Sequence, residues 1–75
     1  MTEAKLGERV QQKRQEKGLT QEELAGRCDL DIRTIQRIEK NEVKPYFSTL
    51  RCLSKILDHD FIRDPDLKAW LFSDT

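Results

Sequence analysis

Proline and glycine are scarce in this chain (two and three residues), and nowhere is it apolar over a long stretch. A bilayer-crossing helix needs roughly 20 mostly apolar residues, so none is expected here and no membrane role follows. The opening Met-Thr-Glu-Ala-Lys is charged and precedes no hydrophobic run, which argues against a secretory leader and for the cytoplasm. With one histidine, and with Cys28 and Cys52 far apart in sequence, the ligands for a metal site are lacking. The two thiols read as structural: Cys28 as a small core hydrophobe and Cys52 as a passive helix-flank residue. His59 has no Ser, Cys or Asp partner in a nucleophilic motif, and reads as a loop residue. Acidic pairs such as Glu22-Glu23 would need a pocket that a 75-residue domain can hardly build. Neither catalysis, nor a cofactor, nor a small-molecule substrate is expected.

A basic excess is also missing, because 14 Lys and Arg balance 14 Asp and Glu. The balance hides an asymmetry. Residues 1–57 carry 12 basic and 9 acidic side chains, whereas residues 58–75 carry 2 and 5. Binding to phosphates depends on which face the cations occupy, so the body of the domain remains able to meet nucleic acid.

What is present is helical periodicity. Leu6 and Val10 stand one turn apart and predict a helix over residues 4–17, ended by Gly18. Thr20 followed by Glu23 has the spacing of a capping box, opening a second helix with Leu24, Ala25 and Cys28 inward. Asp29-Leu30-Asp31 interrupts the pattern: Asp29 suits a left-handed turn and Asp31 an N-cap. A third helix follows, with Ile35 and Ile38 inward and Arg33, Gln36, Arg37 and Lys40 elsewhere, ending near Asn41. After a loop containing Pro45, Ser48 is expected to cap a fourth helix carrying Leu50, Leu53, Ile56 and Leu57. Residues 58–64 read as a loop returning Phe61 and Ile62 to the core. Pro65 is expected to start a short last helix. The reading is all-α, four to five short helices in a single domain over 1–75, with 61–75 as a C-terminal extension.

Two short helices joined by a tight turn, the second polar on its outer face, form a helix-turn-helix layout. The residues Gly18-Leu19-Thr20-Gln21-Glu22-Glu23-Leu24-Ala25, then Thr34-Ile35-Gln36-Arg37-Ile38-Glu39, then Lys44-Pro45, closely resemble the phage-repressor-like family (Cro and lambda-repressor, or Xre). The resemblance covers residues 6–57. It implies a lambda-repressor-like fold, double-stranded DNA as partner, and a third helix that reads bases through Ile32, Arg33, Gln36 and Arg37. Arg and Gln match guanine and adenine edges respectively, while Ile32 has only apolar contact to offer. By the same carry-over, Thr20, Gln21, Lys40, Asn41 and Lys44 serve DNA phosphates, and Arg14 and Glu39 form a buried ion pair between the first and third helices. The chain departs from the family in having Asp29 where glycine is usual, Lys40-Asn41 for Asn-Gly, and a carboxylate at Asp31 near the expected DNA.

Leu67, Trp70, Leu71 and Phe72 form an apolar cluster suited either to covering the core or to joining two subunits. The expected function is a sequence-specific transcriptional regulator, a repressor bound as a homodimer to a pseudo-palindrome with half-sites about 34–36 Å apart. Two other readings stay open: a DNA-binding module of a larger regulator or antitoxin, and a protein-interaction domain that has lost DNA binding.

Overall fold

Leu6, Val10 and Arg14 follow one another at four-residue steps and become the inner stripe of the first helix, α1 (Leu6–Glu16). In the computed structural model, which describes residues 5–72, four more helices follow: α2 (Gln21–Arg27), α3 (Ile32–Glu39), α4 (Phe47–Leu57) and α5 (Lys68–Leu71). No strand occurs among the described residues, and no helix there is long and apolar enough to cross a membrane. The fold is all-α, and α3 packs on both α1 and α2 while α4 packs on α1. Leu6, Val10, Leu24, Ile35, Leu53, Phe61 and Leu67 are fully buried where these elements meet. Phe61 and Leu67 bring the segment after α4 into the same core as the helix-turn-helix.

The first four helices all stop in the same way. A residue with positive φ follows each: Gly18 (69°), Asp29 (55°), Asn41 (62°) and Asp58 (56°). The next amide then folds back across the helix end: Leu19 to Arg14 O at 3.1 Å, Leu30 to Ala25 O at 2.8 Å, Glu42 to Arg37 O at 2.9 Å, and His59 to Ser54 O at 3.1 Å. This closure supplies partners to carbonyls that a helix end leaves open. Only one of the four is glycine. Asp and Asn tolerate the left-handed region better than other side chains, at some cost relative to glycine.

Helix starts depart more from expectation. The Thr20 capping box forms in full, with Glu23 N donating to Thr20 Oγ1 at 3.0 Å and Thr20 N to Glu23 Oε1 at 2.9 Å. Asp31 occupies the N-cap position of α3, yet its carboxylate makes no cap bond. Ser48 does not cap α4. The helix begins at Phe47 behind an extended Tyr46, because the first turn closes from Leu50 N to Tyr46 O (2.9 Å) as soon as the stretch around Pro45 ends. Nor does Pro65 start α5. Asp64 takes the Leu67 amide on its carbonyl (3.0 Å) and the Asp66 amide on its carboxylate (2.9 Å), making a separate turn before the helix opens at Lys68. Cys28 is half-buried at the end of α2 and not fully enclosed.

Candidate nucleic-acid interface

The inner face of α3 is fixed by apolar packing and by one buried carboxylate. Ile35 and Ile38 enter the core, and Glu39 lies beneath them with 8% of its surface exposed. Arg14 grips Glu39 bidentately, Nε to Oε2 at 2.7 Å and Nη2 to Oε1 at 3.1 Å, while its Nη1 donates to Leu19 O at 2.8 Å. Gln21 adds a bond from Nε2 to Glu39 Oε1 at 3.0 Å. One carboxylate thereby ties α1, α2 and α3 together, and the planar guanidinium suits a two-bond grip. Every buried side-chain polar atom among the described residues has a partner, as burial of such groups requires.

The C-terminal end of α3 is held as closely. Asn41 accepts the Gly7 amide on Oδ1 (2.8 Å) and donates from Nδ2 to Glu8 Oε2 (3.0 Å). A β-carbon on Gly7 would overlap the Ile38 and Glu39 carbonyl oxygens, so the start of α1 meets the end of α3 backbone to backbone. The Asn41 carboxamide is therefore engaged with α1.

The outer face is different in kind. Arg33, Arg37 and Lys40 are exposed and Gln36 is half-buried, and with Glu42 they line a shallow groove of about 190 Å³. None of these four side chains has a hydrogen bond or ion pair among the described residues. Ile32 sits at the leading end of the helix, 40% exposed. Thr20 is exposed at the start of α2 with its hydroxyl in the capping box. The Thr20 amide that donates to it, aided by a hydrogen bond from the Thr20 side chain, holds the Glu23 carboxyl below its ordinary value.

Lys44 is exposed in the loop after α3, its Nζ 5.3 Å from the centroid of the Trp70 ring. This cation–π contact links the loop to α5. The apolar cluster near the C-terminus divides. Leu67 is fully buried, Trp70 and Leu71 are half-buried against the core, and Phe72 is exposed beside Phe47 with ring centroids 6.3 Å apart. With Tyr46 also exposed, three aromatic side chains lie open to solvent along the start of α4 and the end of α5.

Sequence reasoning missed a second polar network. His59 Nε2 lies 2.7 Å from Asp64 Oδ2, and Arg9 reaches Asp64 Oδ2 at 3.6 Å and Asp66 Oδ2 at 3.2 Å. Burial raises the Asp64 carboxyl, but the His59 bond, the Asp66 amide and the Arg9 charge outweigh it and hold it below its ordinary value. Contacts between residues 9 and 64 leave no periodic trace in a sequence. His59 also packs edge-on against Phe61, with centroids 4.9 Å apart. Cys28 and Cys52 prove to be neighbours as well. Burial, reinforced by hydrogen bonding to Cys52, pushes the Cys28 thiol up to about 12.

Known proteins resemble this chain at the level of sequence family and of fold. The Helix-turn-helix family model matches residues 10–60, well over half of the chain. Among solved structures, a chain of the SinR protein/SinI protein complex is similar, with a TM-score of 0.68 and 27% sequence identity. The match covers 92% of this chain and 61% of that one, so this chain spans about three fifths of its length. No curated protein is significantly similar.

Proposed function

The chain belongs to the helix-turn-helix family of the Cro and lambda-repressor (Xre) kind, and from that membership we propose that it is a sequence-specific, double-stranded-DNA-binding transcriptional regulator. The observation that carries the reading is the contrast across α3: a rigidly bonded inner face, and an outer face of cations and amide without partners among the described residues. In this reading Arg33, Gln36 and Arg37 meet base edges in the major groove, with Ile32 against a thymine methyl group. Thr20, Gln21, Lys40, Asn41 and Lys44 contact the phosphates that set the register. Gln21 and Asn41 keep their protein bonds while doing so, each offering the phosphate the second N–H of its carboxamide. A homodimer on a pseudo-palindrome acts as a repressor by occluding DNA in the cytoplasm, with half-sites about 34–36 Å apart.

Titration of random-sequence duplex across a salt series, followed by site selection, tests this. Affinity is expected to fall steeply with salt as condensed counterions are released, and one sequence to be enriched. A flat salt response with no enriched sequence would refute the proposal. Arg33→Ala is expected to change the selected site, and Lys44→Ala to weaken all sites alike.

A second reading, a module of a larger regulator that also meets a protein, is favoured by the open aromatics Tyr46, Phe47 and Phe72. Sedimentation of Phe47→Ser and Phe72→Ser separates the two. A fall from dimer to monomer places the subunit contact there. A mass equal to that of the unaltered dimer leaves the face to another protein.

A further inference from the structure

Asp31 stands at the leading end of α3, exposed, with φ −72° and ψ 148°, immediately before Ile32 and Arg33. The usual employment of such a residue is to accept the amide three positions on. Here the Thr34 amide donates to the main-chain carbonyl of Asp31 at 3.0 Å, and the carboxylate makes no cap bond. No hydrogen bond or ion pair among the described residues involves the carboxylate. An acidic side chain has thus been left unbonded where a helix-turn-helix protein presses hardest on DNA, since the first residues of the reading helix lie deepest in the groove.

We infer that Asp31 is a specificity-determining residue that accepts the 4-amino group of a cytosine at the edge of the recognised site. This rests on the DNA-binding reading above and adds to it a residue and a base. A carboxylate can only accept hydrogen bonds. In the major groove, cytosine offers a donor at N4, guanine offers acceptors at O6 and N7, and thymine offers an acceptor and a methyl group. Adenine sets the N7 acceptor beside its N6 donor. Cytosine is therefore the one base that presents no acceptor to the carboxylate, and guanine and thymine are rejected. Arg33, two residues on, has the opposite preference for guanine O6 and N7. The neighbours Asp31 and Arg33 thus discriminate the two members of a G·C pair by charge. Against phosphates alone the carboxylate is repelled, so Asp31 lowers affinity for sequences that do not return its hydrogen bond.

Site selection with the unaltered protein, Asp31→Ala and Asp31→Asn tests the inference, with thermal melting of each as a folding control. The unaltered protein is expected to select cytosine at one edge position and to lose about tenfold in affinity when that base is changed. Asp31→Ala is expected to lose the preference at that position only, and to bind random duplex more tightly. Asp31→Asn is expected to move the same position toward adenine, whose N6 and N7 a carboxamide matches. If both variants scale affinity for every sequence by one factor, or the unaltered protein selects no cytosine that either variant alters, Asp31 is a repulsive charge and the inference fails while DNA binding stands. If the unaltered protein shows no salt-dependent duplex binding, the DNA-binding reading falls and this inference with it.

Discussion

Glu39 and Asp64 are both buried carboxylates met by an arginine of α1, yet they are held by different surroundings and hold different things. Their side chains are equally hidden, 4% exposed in each case. Glu39 takes three short bonds from Arg14 and Gln21 at the joint of three helices. Asp64 has Arg9 only at 3.6 Å, and depends on His59 and a local amide for its close bonds. Arg9 is also more open to water than Arg14, at 25% against 11% exposure, so its charge is more strongly screened. Glu39 braces the helix proposed to read DNA, whereas Asp64 fastens the segment after α4 to the outside of α1. Equal burial does not make equal anchors; the number and closeness of the partners decide.

Mutating each carboxylate in turn tests that difference. Glu39→Ala leaves Arg14 buried without its partner and is expected to cost about 3–5 kcal/mol. In a domain of this size each kcal/mol moves the melting midpoint by about 4–8 °C, so circular dichroism should find it largely unfolded near physiological temperature. A loss under 1 kcal/mol would show that Glu39 is no stronger an anchor than Asp64.

Gly7→Ala attacks the same joint by sterics, leaving every charge in place. The new methyl group must move the Ile38 and Glu39 carbonyls, and overpacking of this kind typically costs about 1–3 kcal/mol. Denaturant unfolding reads the loss directly. An unchanged midpoint would mean that the α1–α3 joint is softer than its close approach implies.

Asp64→Asn probes the weaker anchor, and its expected cost near neutral pH is about 1–2 kcal/mol. The pH dependence gives a sharper signature. The folded-state pKa of Asp64 is depressed, so its contribution is present above the unfolded value of about 3.9 and is lost as pH falls through the folded value. Melting midpoints of the unaltered protein should therefore drop more steeply below pH about 4 than those of Asp64→Asn. Parallel acid limbs would remove Asp64 from the account of acid stability. Because α3 stays braced by Glu39, this variant should still bind duplex DNA at temperatures where it is folded.

The smallest effect should come from Asp29→Gly, which touches neither carboxylate. Relief of a left-handed non-glycine residue at φ 55° should stabilise the fold by about 1 kcal/mol or less, seen as a small rise in the midpoint.

The parts built from local rules were legible in the sequence. Leu6 and Val10, the Thr20–Glu23 box, and the inward pair Ile35 and Ile38 each follow from spacing within a few residues, and they place α1, α2 and α3. The misplaced starts of α4 and α5 arise where two local rules compete. At Ser48 a good cap residue lost to the chain direction set by Pro45, and at Pro65 a good first-turn residue lost to a turn organised by Asp64. Distant pairing was invisible: Arg9 with Asp64, Asn41 with Gly7, and Lys44 with Trp70 join residues with no pattern between them. The outer face of α3 was legible as polar and cationic, but the lack of partners among the described residues for the side chains of Arg33, Arg37 and Asp31 emerges only from the folded arrangement.

The contact between Lys44 and Trp70 has a practical consequence. Trp70 is the sole tryptophan of the chain, and a cation stands over its ring from the loop that follows α3. The emission of an indole depends on the charge next to it, so the protein carries its own optical reporter. Whatever draws Lys44 away from the ring should alter that emission in real time, with no dye or label attached.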